Sequence, residues 1–599
     1  METEKMSYRN LGAHCRNAAR PEVWSFAVFA PHAKAVSVVG DFNGWMEGRN
    51  ALNRDEGGIW RGNIDGIRKG ELYKFAIMAS NGEVLLKADP YAFRSELRPG
   101  TASVLHDIPK YDWMDQAYMA QKHESAPYAK AMNIYEVHLL SWRQHTDIRE
   151  ECRELVNYAK EMGYTHIELL PIMEYPLDDS WGYQVTGYFS VSARLGDPEN
   201  LMYLIDFAHR SGLGVLLDWV PAHFTKDAHG LRQFDGEPLF ESVDPLRAEM
   251  PQWGTLLFDY ERREVREFLI QNALYYLKEF HVDGLRVDAV SCMLYHDFCK
   301  SRWRPNRFGG RENLEAIEFI KELNTIVHRD CPGSLIIAEE SSSYPKVTEP
   351  VCLGGLGFDF KWNMGFMNDT LSYFEEDSYF RGYHHDKLTF PMVYAFSEKY
   401  ILPFSHDEVV CGKRSLIGRM HGSYEQQFEQ LRLLLCYQMA CPGKKLNFMG
   451  NEFGQFIEWD FHRPLDWFLL DYPAHKAMQD FTKALNHVYL NTAALHRENE
   501  GWKGFTWLKV DDSENSVIAF MRKNAGSRLV AVFNFTPKKF KEYRIGLGEI
   551  FSRPIHLKCI FSTHYGRQDR IRSKKVRKGE RYFETALYGY EGSLYIVEK

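Results

Sequence analysis

At 599 residues the chain is too long for a single small binding module; at about 100–200 residues per domain it holds three or four domains, or two around one large barrel. Acidic residues outnumber basic ones by 81 to 73, a formal charge of −8, which does not favour a polyanionic partner such as nucleic acid. A hydrophobic fraction of 45% beside 26% charged residues excludes a disordered chain.

The opening METEKMSYRNLGAHC lacks the apolar core of a signal peptide, and no run of about 18 apolar residues follows anywhere, so the expectation is a cytoplasmic protein with no membrane partner. Residues 1–19 read as an N-terminal tail. In WSFAVFAPHAKAVSVVG, from Trp24 to Gly40, small and β-branched residues alternate with turn residues, and Asp41-Phe42-Asn43-Gly44-Trp45 reads as a tight turn. Residues 20–105 are thus expected to form a small all-β domain. A polar, irregular linker follows at 106–130.

From 131 to 500 short apolar strands alternate with amphipathic helices, the pattern of a parallel sheet. The expected strands are Asn133–His138, His166–Leu170, Gly214–Trp219, Gly284–Val287, Leu335–Ala338, Phe358–Phe360, Tyr400–Phe404 and Leu446–Met449. Eight such strands make an α/β barrel. Val265, Phe268, Leu269, Ala273, Tyr276, Leu277 and Phe280 recur at helical spacing. A second helix starts at a capping box, Ser423 with Gln426, and stops at Cys441-Pro442-Gly443. The stretch from Asp218 to Asp288 far exceeds the roughly 30 residues of one βαβ unit, so a long loop leaves the barrel after the third strand. Residues 501–599 read as a C-terminal antiparallel β domain, with strands in FTWLKV, SVIAFMRK, RLVAVFNF and SLYIVEK.

The 10 cysteines in 599 residues are too sparse for a disulfide scaffold, and they include no C-x-x-C pair that would suggest structural zinc or redox work. No P-loop or dinucleotide fingerprint occurs, and Asp178-Asp179 reads as a solvated loop rather than a calcium site. Neither metal nor cofactor is expected. Aromatic residues reach 14%, most of them for core packing and some for platforms under flat ligand faces such as sugar rings.

In a parallel barrel the chemistry sits at the carboxyl ends of the strands. Four acids follow apolar strands directly: Asp218 in LLDWVPAH, Asp288 in GLRVDAV, Glu339 in LIIAEES and Asp407 in LPFSHDE. Any one of them alone could be a helix cap or a solvated strand end; four together point to a site. Strand alternation puts Arg286 and Asp288 on one face, where the guanidinium would keep the carboxylate ionised and fit to act as a nucleophile. Glu339 has no basic neighbour in sequence, follows four apolar residues and adjoins Glu340, all of which favour a protonated form. One charged and one protonated carboxyl are what glycosidic cleavage requires. His223 and His406 lie in the same strand-end segments and are candidates to hydrogen-bond a ligand.

DWVPAH, GLRVDAV, AEE and SHDE, in that order, resemble the four signature regions of the alpha-amylase family. VVGDFNGW resembles a carbohydrate-binding module, and WGYQVTGYF, GGLGFDFKWNMGFMND, HDEVVCGKRSL and MGNEFGQFIEWDF resemble bacterial glycogen branching enzymes. The resemblance covers roughly residues 20–599. It implies a (β/α)8 TIM barrel with a β-sandwich carbohydrate-binding module and an all-β C-terminal domain. It also implies a retaining double displacement on alpha-1,4-glucan, which serves as donor and acceptor, by a monomer. Matched position by position, Asp288 is the nucleophile, Glu339 the general acid and base, and Asp407 the transition-state stabiliser. Tyr183, Asp218, His223, Arg286 and His406 hold the cleaved glucose, with Tyr183 stacked beneath it. A glucan 6-hydroxyl, not water, then resolves the intermediate, and Trp181 and Trp459 are candidate exposed aromatics to hold the acceptor chain. Cys411 stands where the family pattern has histidine, a departure confined to a local contact. The sequence begins almost at the binding module, so the extra N-terminal domain of longer branching enzymes is not expected.

A glucan hydrolase or debranching enzyme would share the carboxylates, but GGLGFDFKWNMGFMND resembles branching enzymes rather than amylases. A non-catalytic glycan-binding protein would be expected to have lost at least one carboxylate, and none is lost.

Overall fold

The computed structural model describes residues 6–15, 19–123, 127–499, 501–548, 550–551, 553–564, 566–567, 569–575 and 580–598. Eight parallel strands close into a barrel in chain order: β1 (Asn133–Val137), β2 (His166–Leu169), β3 (Gly214–Trp219), β4 (Gly284–Val287), β5 (Leu335–Ala338), β6 (Phe360–Trp362), β7 (Tyr400–Phe404) and β8 (Lys444–Phe448). Every residue of β4, β5 and β8 is buried, as expected of strands with both faces covered. The register sets Asp218 of β3 beside Arg286 of β4, and Arg286 beside Ile337 of β5. Asp288 and Glu339 therefore emerge at adjoining strand ends, each one residue past its strand.

Four strands differ from the sequence expectation: β1 and β2 each end one residue short of it, and β6 and β8 start two residues away from it. β8 begins at Lys444, two residues early, because backbone carbonyls satisfy its buried lysines: Lys444 Nζ donates to the carbonyls of Tyr128 and Lys130, and Lys445 Nζ to that of Cys441 at 2.6 Å. Burial pushes the Lys445 ammonium well below its usual range. β6 begins at Phe360 rather than Phe358, since the carboxylate of Asp359 is occupied with the backbone N–H of Ile336 and the ring of His328.

Helix α1 (Arg263–Glu279) buries the apolar stripe that its spacing predicts. Helix α2 (Met364–Phe374) follows β6, capped by the Asn363 side chain. Helix α3 (Tyr424–Ala440) starts at the capping box: Ser423 N–H donates to Gln426 Oε1 at 2.9 Å and Gln426 N–H to Ser423 Oγ at 3.4 Å. The long excursion after β3 folds into a three-stranded sheet of His223–Phe224, Glu249–Met250 and Thr255–Leu257.

The N-terminal domain is a pair of antiparallel sheets. Its first strand is Gly12–Cys15, paired with Val23–Phe29, so the sheet starts inside the expected tail; residues 1–5 and 16–18 of that tail lie outside the described residues. The expected linker contains a helix, Gln116–His123, and its residues 124–126 also lie outside the described residues. Charge anchors this helix and the turn before it, so no apolar stripe marked them: Asp115 meets His209 and His281, and Lys122 Nζ donates to the Val282 carbonyl. In the C-terminal domain a six-stranded and a three-stranded sheet contribute to a core that includes Val517, Val532, Ile545, Leu557 and Phe583.

The chain divides into two compact units, one of Met1–Glu124, Gln144–Glu154 and Leu169–Asp359, the other of Ser125–Arg143, Leu155–Glu168 and Phe360–Lys599. Strands β3, β4 and β5 belong to the first, and β1, β6, β7 and β8 to the second. No helix among the described residues is long and apolar enough to cross a membrane.

Candidate active site

In the first unit six of the expected residues lie on one connected set of contacts centred on Arg286, which is fully buried on β4. Its Nη1 donates to Asp218 Oδ2 at 3.0 Å and to Asp288 Oδ1 at 3.1 Å, while Nη2 lies 3.2 Å from Glu339 Oε2. Burial opposes the charge on this guanidinium, but Asp218, the Tyr183 hydroxyl, Glu339 and Asp288 together hold its pKa well above the ordinary value. Tyr183 donates to Asp218 Oδ2 at 2.5 Å and lies 3.3 Å from Arg286 Nη1, which fixes the direction of its half-buried ring. His223 places Nε2 3.8 Å from Asp288 Oδ2 and its ring against Trp253, with centroids 4.9 Å apart.

The turn after Asp288 is strained. Ala289 has φ +53°, a left-handed conformation that a residue with a Cβ adopts at a cost, and its N–H donates to Glu339 Oε2 at 2.8 Å. Glu339 has no basic neighbour in sequence, but the fold supplies one. The parallel register of β4 and β5 brings Arg286 to it, and the Ala289 N–H adds a second donor. Glu340 has a different setting: it is fully buried, and its Oε1 accepts from Ser291 Oγ and from the Ser342 N–H, both at 2.7 Å.

In the second unit His406 and Asp407 open a 3-10 turn after β7. The Asp407 side chain is 40% exposed and lies 3.4 Å from His406 Nε2. Sequence reasoning missed the group that orients this pair, Glu136 on β1. Fully buried, it contacts His406 Nδ1 at 2.6 Å and accepts from the His406 backbone N–H at 2.9 Å. Its signal was an acid inside the apolar run NIYEVHLL, a position where a charge needs a partner. Trp459, a candidate for an exposed sugar platform, is only 7% exposed; its Nε1–H donates to Ser141 Oγ and its ring packs on Phe448. In the first unit Trp181 is half-buried, Asp179 is exposed, and Asp178, its side chain 30% exposed, pairs with Arg98 and Arg194.

Three family descriptions match the chain: carbohydrate-binding module 48 (isoamylase N-terminal domain) over residues 10–92, the alpha amylase catalytic domain over 152–236, and the alpha amylase C-terminal all-beta domain over 507–567. Curated relatives match along most of their length. The 1,4-alpha-glucan branching enzyme GlgB of Desulfitobacterium hafniense is 52% identical over 551 residues, 90% of this chain and 86% of the relative. That of Halothermothrix orenii is 50% identical, over 91% of this chain and 88% of the relative. A solved pullulanase from Anoxybacillus, complexed with maltotetraose, has the same fold at 17% identity, with a TM-score of 0.72 over 98% of this chain and 87% of that one.

Proposed function

The chain belongs to the 1,4-alpha-glucan branching enzymes, and from that premise we propose that Asp288 is the nucleophile, Glu339 the general acid and base, and Asp407 the stabiliser of the transition state. The enzyme cuts an alpha-1,4 bond and passes the freed chain to a 6-hydroxyl, making an alpha-1,6 branch. The single observation that carries the assignment of roles is Arg286, one guanidinium in contact with Asp218, Asp288 and Glu339 at three adjoining strands.

Each step follows from that arrangement. Asp288 attacks the anomeric carbon while Glu339 protonates the departing glycosidic oxygen, leaving a covalent glycosyl ester. Esterification removes the charge of Asp288, so Arg286 then favours the carboxylate form of Glu339, which suits its second task as base. Asp407 offers negative charge to the oxocarbenium-like transition state. Asp218, Tyr183, His223 and His406 hold the hydroxyls of the reacting glucose, and the Tyr183 ring stacks on its face. The N-terminal module gives the enzyme a hold on glucan.

Trapping tests the assignment. With Glu339→Gln and a maltosyl fluoride donor, whose fluoride leaves without a proton, the ester should form and then persist. Digestion and mass spectrometry should place the glycosyl group on the peptide containing Asp288. A label on Asp218 or Asp407 would overturn these roles.

A further inference from the structure

The charge of the chain is unevenly placed. Residues 501–599 hold 20 Lys and Arg against 10 Asp and Glu, a formal charge of +10, whereas residues 1–500 hold 53 against 71, or −18. The strand-end chemistry makes no use of a basic C-terminal domain, and an asymmetry of this kind marks a surface for an anionic group.

Part of the excess is gathered at one edge of the domain's six-stranded sheet. The edge strand, Arg570–Arg572, pairs antiparallel with His556–Ser562, setting Arg570 opposite Lys558 and Arg572 opposite His556. Leu557 and Ile571 turn to the core, so Lys558, Arg570 and Arg572 share the outward face, and all three are exposed. Past the strand, buried Ser573 donates its N–H to the Ile555 carbonyl at 2.9 Å and accepts from the Ile555 N–H through Oγ at 3.0 Å. These two bonds keep the segment that starts at exposed Arg553 alongside the one that ends in exposed Lys574 and Lys575.

Carboxylates answer only some of these cations. Glu598 takes Arg570 at 2.9 Å, and Glu584 takes Lys574 at 2.5 Å together with Arg544 at 3.0 Å. Arg553, Lys558, Arg572 and Lys575 have no carboxylate partner among the described residues. Like charges directly opposite each other across two strands destabilise a sheet, and Lys558 with Arg570 is such a pair. A charged side chain keeps a sheet edge from pairing with another chain, but four unanswered cations are more than that task requires.

We propose that this edge binds phosphate monoesters carried on the glucan; the proposal rests on glucan being the substrate. The guanidinium of Arg572 can meet a phosphate with two parallel N–H bonds, and Arg553, Lys558 and Lys575 add charge for a dianion. The charge of the other residues selects the partner. A polyanion such as nucleic acid is repelled by the −18 of residues 1–500, whereas a neutral chain bearing isolated phosphates is attracted at the edge and little repelled elsewhere. An unphosphorylated glucan is uncharged and leaves the four cations unanswered.

The test measures binding of the whole enzyme to two preparations of one amylopectin, the first bearing glucose 6-phosphate and the second stripped of it by a phosphatase. At low salt the parent should bind the phosphorylated polymer at least tenfold more tightly, and the difference should shrink as salt rises. R572E/K575E should abolish the preference and R572Q/K575Q reduce it, with branching of uncharged amylose unchanged in both. Equal affinity of the parent for the two polymers would overturn the proposal, and this comparison does not depend on the folding of any variant. A preference that survived charge reversal would overturn it too, as would tighter binding to duplex DNA at the same phosphate concentration. A parent that made no alpha-1,6 linkages on amylose would instead overturn the branching function itself.

Discussion

Glu339 and its neighbour Glu340 can be told apart by exchanging each carboxylate for an amide of the same shape. In Glu339→Gln the amide oxygen still accepts from Ala289 N–H and Arg286, but as a neutral acceptor. Hydrogen bonds to charged groups are worth about 1.5–3 kcal/mol and neutral ones about 0.5–1.5, so two weakened bonds cost roughly 2–3 kcal/mol of stability. Glu340→Gln weakens the bonds from Ser291 Oγ and Ser342 N–H by the same reasoning and costs about as much. The two variants should therefore melt alike and differ in rate. Loss of a general acid costs about 10²–10⁴-fold, or roughly 2.7–5.4 kcal/mol of barrier at 1.36 kcal/mol per decade. Initial rates of branch formation on amylose, beside thermal melts, measure both quantities. Glu339→Gln should fall into that range and regain the first, ester-forming step with a glycosyl fluoride, whereas Glu340→Gln should stay within about tenfold of the parent. An inactive Glu340→Gln beside an active Glu339→Gln would refute the assignment.

Glu136→Gln should raise KM more than it lowers kcat, because Glu136 sets the direction of the His406 ring without touching the reacting atoms; steady-state kinetics separate the two effects. Removing residues 1–105 should cost stability and turnover as well as glucan affinity, read by thermal melts and branching assays. The module is bonded to the long loop after β3: Lys87 Nζ donates to the carbonyls of Ala228, Gly230 and Arg232, and fully buried Asp235 accepts from the His32 N–H. The buried His209 contacts Asp115 at 2.8 Å and Asp283 at 2.9 Å, with Lys122, His281 and the Tyr118 ring also around it. Burial opposes its charge, but the carboxylates outweigh that and raise its pKa above the usual 6.5; its stabilisation is complete below that value and is lost as pH rises through the folded value. Burial likewise opposes ionisation of Asp115 and Asp283, yet their cationic partners hold both well below 3.8, so their contribution is present above that value and fades as pH falls. Melting temperature should therefore drop on both the acid and alkaline sides, and His209→Gln should flatten the alkaline side.

The barrel was legible because its strands are short apolar runs ended by acids, a pattern that survives without any knowledge of neighbours. Four of the strand boundaries, those of β3, β4, β5 and β7, agree with the expectation residue for residue. What sequence could not supply was adjacency. Glu339 reads as an acid in apolar surroundings until the β4–β5 register sets Arg286 beside it. Glu136 reads as an oddity in a strand until the backbone and ring of His406 meet it from β7, across the β7–β8–β1 ladder. Lys444 and Lys445 delayed the expected start of β8 because a lysine scores as polar whether or not carbonyls surround it. Trp459 failed as a platform for the converse reason: nothing in the local sequence shows that Phe448 and Ser141 cover it.

The central claim is that the glycosyl ester is resolved by a sugar hydroxyl and not by water. Amylose incubated with the enzyme should lose its iodine colour and gain alpha-1,6 linkages while reducing ends stay nearly constant, since each bond cut is matched by one formed. Reducing ends rising in step with the colour loss, without new branches, would contradict the account.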